Sequence, residues 1–141
     1  MIYISSEVYN AIIEAFSIHA PECGGVLGAR PESVISELYF DYDGISTPES
    51  YTPNYIKINN LLENEWAEKQ IRMVGMVQSH GNSGEFPSCG DLYYCEQIMR
   101  SANIDQFLLT IITLNPFCFH SYIVELKDNQ IKVSKERYEI I

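Results

Sequence analysis

An imidazole, a hydroxyl and a carboxylate lie close together in the stretch from Gln78 to Asp91, which reads QSHGNSGEFPSCGD. His80 is followed after seven residues by Ser88, and Ser88 after two residues by Asp91. Imidazole nitrogens and carboxylate oxygens are common ligands of divalent metal ions, and a hydroxyl can donate or accept a hydrogen bond. The spacing therefore predicts two metal ligands and a hydrogen-bonding hydroxyl in one small volume.

The elements on either side of this stretch determine where these side chains lie. The apolar run Ile71 to Val77 is typical of a buried strand, so His80 should lie at a strand end. After the stretch, helical spacing relates four apolar residues, Leu92, Cys95, Ile98 and Ala102. Ser88 and Asp91 then fall in the first turn of that helix, where both can point back towards the strand end.

Two other interpretations need no metal. Ser88 and Asp91 also match a capping box, which stabilises a helix start by about 1 kcal/mol and carries no chemistry. A thiol, Cys89 or Cys23, could instead pair with His80 as nucleophile and base. No residue stands out that would orient His80 for that role, and a buried structural cysteine is the commoner state. His19, at the end of an apolar helix face, is interpreted as a core residue.

The composition narrows the classes of function. The chain has 141 residues, 46% of them hydrophobic, which predicts a single domain over residues 1–141. The formal charge of −10 argues against binding to nucleic acid or to an anionic membrane and favours a basic or neutral protein partner. The N-terminus lacks the features of an export signal, and no apolar run approaches 18 residues. We therefore expect a cytoplasmic protein with four free cysteines and no disulfide framework.

The order of predicted elements indicates an α+β fold with a mixed sheet packed by two to three helices. A short strand at Ile2 to Ile4 precedes a helix that Pro21 ends, and a glycine-rich strand follows. The segment from Ile45 to Asn54 has two prolines and is predicted to be a long surface loop. A second long helix is predicted from Lys57 to Gln70 and a closing hairpin from residue 117 to 138. The glycine-rich strand predicts that another backbone approaches it closely.

The site residues and the glycine-rich strand together resemble the motif of the JAMM metalloproteases, also called the MPN or JAB family, in their prokaryotic form. The matching segments are Pro21 to Gly28 (PECGGVLG), Gly75 to His80 (GMVQSH), and Pro87-Ser88 with Asp91. In that family a glutamate precedes a His-Ser/Thr-His-Pro motif, and a serine and an aspartate follow at the spacing found here. The resemblance spans nearly the whole chain and implies a cytidine-deaminase-like MPN architecture.

The resemblance also implies roles for these residues. His80 and Asp91 would bind Zn²⁺, Ser88 would stabilise the developing oxyanion, and Glu22 would act as general base towards the water that zinc activates. Members of the family hydrolyse peptide or isopeptide bonds, often at the tail of a ubiquitin-like protein. The implied partner is therefore a protein or peptide substrate, and the oligomeric state is left open.

The chain departs from the family motif at two positions. Gln78 stands where the family has its first histidine ligand, and Gly81 stands where it has proline. A glutamine offers only an amide oxygen, a weaker donor for Zn²⁺ than imidazole, although the charge of the ligand set is unchanged. Either Gln78 completes a weakened zinc site, or the domain is a catalytically inactive MPN-like scaffold that binds a partner protein. His120, interpreted as structural, could supply the missing nitrogen if the fold brought it near.

Overall fold

The computed structural model describes residues 1–18, 22–30, 34–47, 50–81, 84–114 and 116–141. In these ranges, runs of strands are separated by helices. The strands are β1 (Ile2–Ile4), β2 (Gly24–Ala29), β3 (Ile35–Phe40), β4 (Ile45–Ser46), β5 (Tyr51–Thr52), β6 (Arg72–His80), β7 (Gln106–Thr113), β8 (Cys118–Lys127), β9 (Gln130–Glu136) and β10 (Tyr138–Ile140). The helices are α1 (Ser6–Ile18), α2 (Tyr55–Asn60) and α3 (Cys89–Ala102), and a π-helical segment, Leu61–Trp66, continues α2. Within these ranges, eight strands form one mixed sheet in the order β10-β1-β3-β2-β6-β7-β8-β9, and β4 pairs with β5 separately.

Each face of the sheet has its own core. On one face, α1 buries Ile12 and Phe16 in a cluster that includes Val77 of β6. On the other face, α3 buries Cys95 and Met99 in a second cluster with residues of β6, β7 and β8. This arrangement confirms the predicted α+β fold with a mixed sheet packed by helices. No helix among the described residues is long and apolar enough to span a membrane.

The glycine-rich strand β2 lies between β3 and β6 and pairs antiparallel with both. A Cβ added at Gly25 would lie 2.4 Å from the carbonyl oxygen of Tyr39 on β3. The predicted close approach of another backbone is therefore confirmed. β6 in turn pairs in parallel with β7, and this central position places the end of β6 beside the start of β2.

Three boundaries differ from the prediction. The segment from Ile45 to Asn54 is not a continuous loop, because β4 and β5 pair within it. The second helix begins at Tyr55 rather than Lys57, and its hydrogen-bonding pattern changes to that of a π-helix at Leu61–Trp66. β10 is a separate strand that pairs in parallel with β1. Two-residue strands and a change of helix type leave no periodicity that a sequence pattern could detect. The predictions for His19 and Pro21 lie outside the described residues.

Candidate functional site

His80 is the last residue of β6 and is buried, with 3% of its surface exposed. Gln78, two residues earlier, is also buried and lies on the same side of the strand, because side chains alternate between the faces of a sheet. Pairing places Gly24 of β2 opposite Gln78, and Thr113 of β7 opposite His80. The strand therefore presents an amide and an imidazole side by side on the face that α3 covers.

The start of α3 supplies the hydroxyl and the carboxylate. Ser88 is the N-cap: its Oγ accepts a hydrogen bond of 3.1 Å from the Asp91 backbone, and Asp91 Oδ2 accepts one of 2.8 Å from the Ser88 backbone. The predicted capping box is thus confirmed. Asp91 Oδ2 also lies 3.0 Å from His80 Nε2, so the same carboxylate caps the helix and contacts the imidazole. The capping interpretation and the site interpretation both describe this residue.

The hydrogen bonds of His80 determine its charge in the absence of metal. Nδ1 lies 2.9 Å from the carbonyl oxygen of Gly84, and Nε2 faces the Asp91 carboxylate. Both oxygens are acceptors, so these two contacts fit a ring protonated at both nitrogens, an imidazolium. Burial by itself would lower the pKa of His80, but the bonds to Asp91 and Gly84 and the negative charge of Glu22 raise the pKa above its ordinary value.

The pKa of Asp91 moves in the opposite direction. Burial would raise the pKa of this carboxyl, but hydrogen bonds from His80, from the Ser88 backbone and from the Gln78 side chain outweigh burial and lower it. Without metal, Asp91 is therefore an ionised acceptor surrounded by three donors. A carboxylate in this environment is the negative half of a partly buried ion pair with His80.

Gln78 completes the group. Its Nε2 lies 3.4 Å from His80 Nε2, and its amide also donates to the Asp91 carboxylate. The oxygen and nitrogen of a glutamine amide exchange places when the group turns over. In one orientation Gln78 donates to Asp91, and in the other it presents Oε1 to the same space.

Glu22 lies two residues before β2 and approaches the site from there. It is buried, with 5% of its surface exposed, and its Oε2 accepts a hydrogen bond of 3.2 Å from the backbone N–H of Gly81. The hydroxyl of Ser46 donates to the Glu22 backbone carbonyl. The bond to the residue that follows His80, and the effect of the Glu22 charge on the pKa of His80, place this carboxylate near His80.

Several groups at the site were not predicted. The Ser79 hydroxyl is buried and accepts a hydrogen bond of 3.1 Å from the Cys23 backbone, which joins the start of β2 to the end of β6. The carbonyl of Gly84 orients His80. The ring of Tyr51 lies where a Cβ on Gly24 would be, and its hydroxyl donates to Asp41. Backbone groups and loop residues leave no motif, although the serine between Gln78 and His80 was a visible signal.

The remaining alternatives lose support. Both ring nitrogens of His80 are bonded to oxygen, so neither serves as base for Cys23 or Cys89. Burial raises the pKa of the Cys23 thiol, although the Ser79 hydroxyl opposes this, and a raised pKa disfavours the thiolate. His120 contacts Thr113 and Glu85, as a structural residue would, and does not supply the missing nitrogen.

The donor set allows a test of whether Zn²⁺ fits. The described part of the chain holds no group of three or more His, Cys, Asp and Glu residues placed to bind a metal. The set therefore depends on Gln78 as a third ligand beside His80 and Asp91. Metal-binding histidines commonly donate their other N–H to a backbone carbonyl, as His80 does to Gly84. The residues fit a metal site with one weak donor.

Comparison with known proteins supports the fold. No protein-family model matches the sequence, and no curated protein matches it. The solution structure of protein DSY2949 from Desulfitobacterium hafniense is similar with a TM-score of 0.74 and 19% identity, covering 100% of this chain and 93% of that one. A JAB1/MPN domain protein, AF2198 from Archaeoglobus fulgidus, is similar with a TM-score of 0.55 and 17% identity, covering 99% and 97%. The chain has a JAB1/MPN-like fold. At this identity the likeness concerns the fold alone.

Proposed function

We propose that this JAB1/MPN-like protein is a metal-dependent hydrolase of peptide or isopeptide bonds with a weakened zinc site. The observation that carries the proposal is the orientation of His80: Nδ1 is bonded to Gly84, so Nε2 points at Asp91 Oδ2 and at the Gln78 amide. Three side chains that can each offer a lone pair thus meet at one point. His80, Asp91 and Gln78 would hold the metal, and Gln78 would do so through Oε1.

When bound, Zn²⁺ lowers the pKa of water and polarises a carbonyl oxygen. Glu22 would take the proton from the attacking water and return it to the leaving amine, because its carboxylate is held at the site by Gly81. The cap uses a lone pair of Ser88 Oγ, so the hydroxyl proton remains available for donation to the carbonyl oxygen of the substrate. The tail of a ubiquitin-like protein is one substrate that the resemblance implies, and a cytoplasmic location remains part of this proposal.

Metal analysis tests the proposal directly. The protein is purified without added zinc or chelator, supplied with Zn²⁺, dialysed and analysed for bound metal beside Asp91→Ala. Asp105→Ala serves as the matched control. The Asp105 carboxylate is exposed and precedes the first residue of β7, whereas the site lies beside the last residue of that strand. We expect near-stoichiometric zinc in the wild type and the control, and its loss in Asp91→Ala. Absence of bound zinc in the wild type after zinc is supplied would refute the proposal.

Two further variants separate binding from chemistry. Gln78→His should raise zinc affinity at least tenfold, since loss of an outer-shell partner alone costs roughly 10 to 100-fold. Glu22→Gln keeps an oxygen for the Gly81 N–H but removes the base, so it should abolish turnover of peptide and isopeptide substrates while zinc binding is unchanged. An unchanged rate in Glu22→Gln would show that another group is the base.

A second candidate is a catalytically inactive domain that binds a partner protein. One observation favours it: His80, Gln78 and the Ser88 backbone all donate to Asp91, so the polar groups of the site are satisfied without metal. For this candidate, Gln78→His leaves the protein without zinc, and no hydrolysis is found. Co-purification of a partner whose binding survives Asp91→Ala would support it.

A further inference from the structure

Glu85, five residues after His80, is attached to β8 by two hydrogen bonds. The hydroxyl of Tyr122 donates to the Glu85 backbone carbonyl over 2.7 Å, and His120 Nδ1 lies 3.1 Å from Glu85 Oε2. The residue immediately before Glu85 is Gly84, whose carbonyl orients the His80 ring. Gly84 and Glu85 therefore link the first half of β8 to a candidate metal ligand on β6.

The space beside the α-carbon of Gly84 is open. Its φ is +84°, and a Cβ added there would meet nothing within 4 Å. The orientation of the Gly84 peptide depends on its hydrogen bonds and on its neighbours in the chain. The carbonyl oxygen of Gly84 accepts a hydrogen bond from His80 Nδ1, and Glu85 is the adjacent residue with fixed partners. The position of Glu85 thus governs where the Gly84 carbonyl points.

The two ring nitrogens of His120 have distinct partners. Nε2 lies 3.0 Å from the Thr113 hydroxyl on β7, and Nδ1 faces the Glu85 carboxylate. Burial lowers the pKa of His120, although Glu85 opposes this, and Lys135 lowers it further. The neutral ring therefore donates from Nδ1 to Glu85 and accepts at Nε2 from Thr113. Both bonds are satisfied in one tautomer.

These contacts form a closed network of interactions around the site. Thr113 is paired with His80 across β6 and β7, so His120 is anchored to the strand that lies beside His80. From His120 this network continues to Glu85, and from the adjacent Gly84 it returns to the His80 ring. We propose that His120 is a positioning residue that holds Glu85, and through it the Gly84 carbonyl, so that His80 keeps its orientation. This role does not depend on whether the site binds metal.

The competing explanation is an ordinary surface contact. The Glu85 side chain is 43% exposed, and exposed charge pairs contribute little to stability. Stability measurements alone would not separate the two explanations, so the readout must be on His80. In chelator-treated, ¹⁵N-labelled protein, NMR correlations of the imidazole nitrogens report the Nδ1–H of His80 and its exchange with water.

We expect a protected His80 Nδ1–H signal in the wild type. In His120→Ala its exchange should be roughly two- to tenfold faster, the loss expected for one weakened hydrogen bond. His120→Gln can donate to Glu85 through its amide and should restore most of the protection. Tyr122→Phe removes only the second bond to Glu85 and should give a similar acceleration. It replaces His120→Ala in the experiment if His120→Ala fails to fold.

Ser121→Ala is the matched control. It removes the side-chain hydrogen bond between Thr110 and Ser121, which joins β7 and β8 on the opposite face of the same two strands. We expect it to leave the His80 signal unchanged. The proposal is overturned if His120→Ala leaves His80 exchange at the wild-type rate, or if Ser121→Ala accelerates it equally.

If the wild type binds Zn²⁺, His120→Ala should also weaken zinc binding by up to about tenfold. Failure of the wild type to bind zinc refutes the proposed function but not this inference.

Discussion

Replacement of Asp91 by alanine should destabilise the metal-free protein in a pH-dependent way. The substitution removes the acceptor for the Ser88 backbone and the partner of His80. Ser88 is exposed, so water can replace the first bond, and that loss is near the lower end of the capping range, about 0.5 kcal/mol. A hydrogen bond to a charged group contributes about 1.5 to 3 kcal/mol. We expect a total loss of about 2 to 3.5 kcal/mol where both groups are charged.

The pH range follows from the two pKa shifts. The pKa of His80 is raised, so its contribution is fully present below the unfolded value of 6.5 and is lost as pH rises through the folded value. The pKa of Asp91 is lowered, so its contribution is present above the unfolded value of 3.8 and is lost as pH falls through the folded value. The penalty of Asp91→Ala should therefore be largest between these two unfolded values and smaller in alkali.

Urea unfolding in the presence of a chelator measures the loss of unfolding free energy in Asp91→Ala at pH 5.5 and at pH 8.5. Ser88→Ala is the control: it removes the other half of the capping box, costs about 1 kcal/mol and leaves the contact between Asp91 and His80 in place. Its penalty should be similar at the two pH values. A penalty for Asp91→Ala that is no larger at pH 5.5 than at pH 8.5 would refute the imidazolium assigned to His80.

Three further predictions concern residues around the site. Gly75→Ala should cost about 1 to 3 kcal/mol in thermal unfolding, because the added Cβ would lie 2.4 Å from the Leu108 carbonyl oxygen. At Gly90 in α3 an added Cβ meets the Ser88 hydroxyl at 3.7 Å, so Gly90→Ala should stabilise the helix by up to about 1 kcal/mol. Equal effects of the two substitutions would contradict the packing described. Tyr51→Phe should destabilise the protein by about 1 to 3 kcal/mol, since it leaves a buried carboxylate oxygen with one donor fewer; unchanged urea unfolding would count against this. In native protein a maleimide should label the exposed thiol, Cys89, before the buried Cys95, whose pKa burial raises to about 12, and mass spectrometry that found Cys95 labelled first would argue against this packing.

Much of the site could be predicted because its residues lie at the ends of regular elements. Apolar periodicity located β6 and α3, and those two elements fix His80 at a strand end and Asp91 in the first turn of a helix. The role of Glu22, which precedes the glycine-rich strand, was implied by the resemblance to the JAMM motif. That strand pairs with β6, so Glu22 reaches the same end of the sheet.

The contacts that set the protonation of the site could not be predicted. Gly84 orients His80 through a backbone carbonyl, and every residue has such a carbonyl, so no residue type marks it. Tyr51 was counted among residues of a loop, because the pairing of two-residue strands depends on tertiary contacts rather than on a local pattern. His120 was placed correctly in a strand, but its contact with Glu85 joins distant parts of the sequence.

The pairing of β1 with β10 has a consequence for the order of folding. Ile2 to Ile4 pair with Tyr138 to Ile140, and the backbone N–H of Ile141 donates to the carbonyl of Ile4. The hairpin of β8 and β9 closes a short loop and can form early, whereas this pair joins segments from opposite ends of the sequence. The pairing of β10 with β1 should therefore be a late step in folding. Until it forms, β1 and β3 present an unpaired strand edge, the kind of surface on which chains associate.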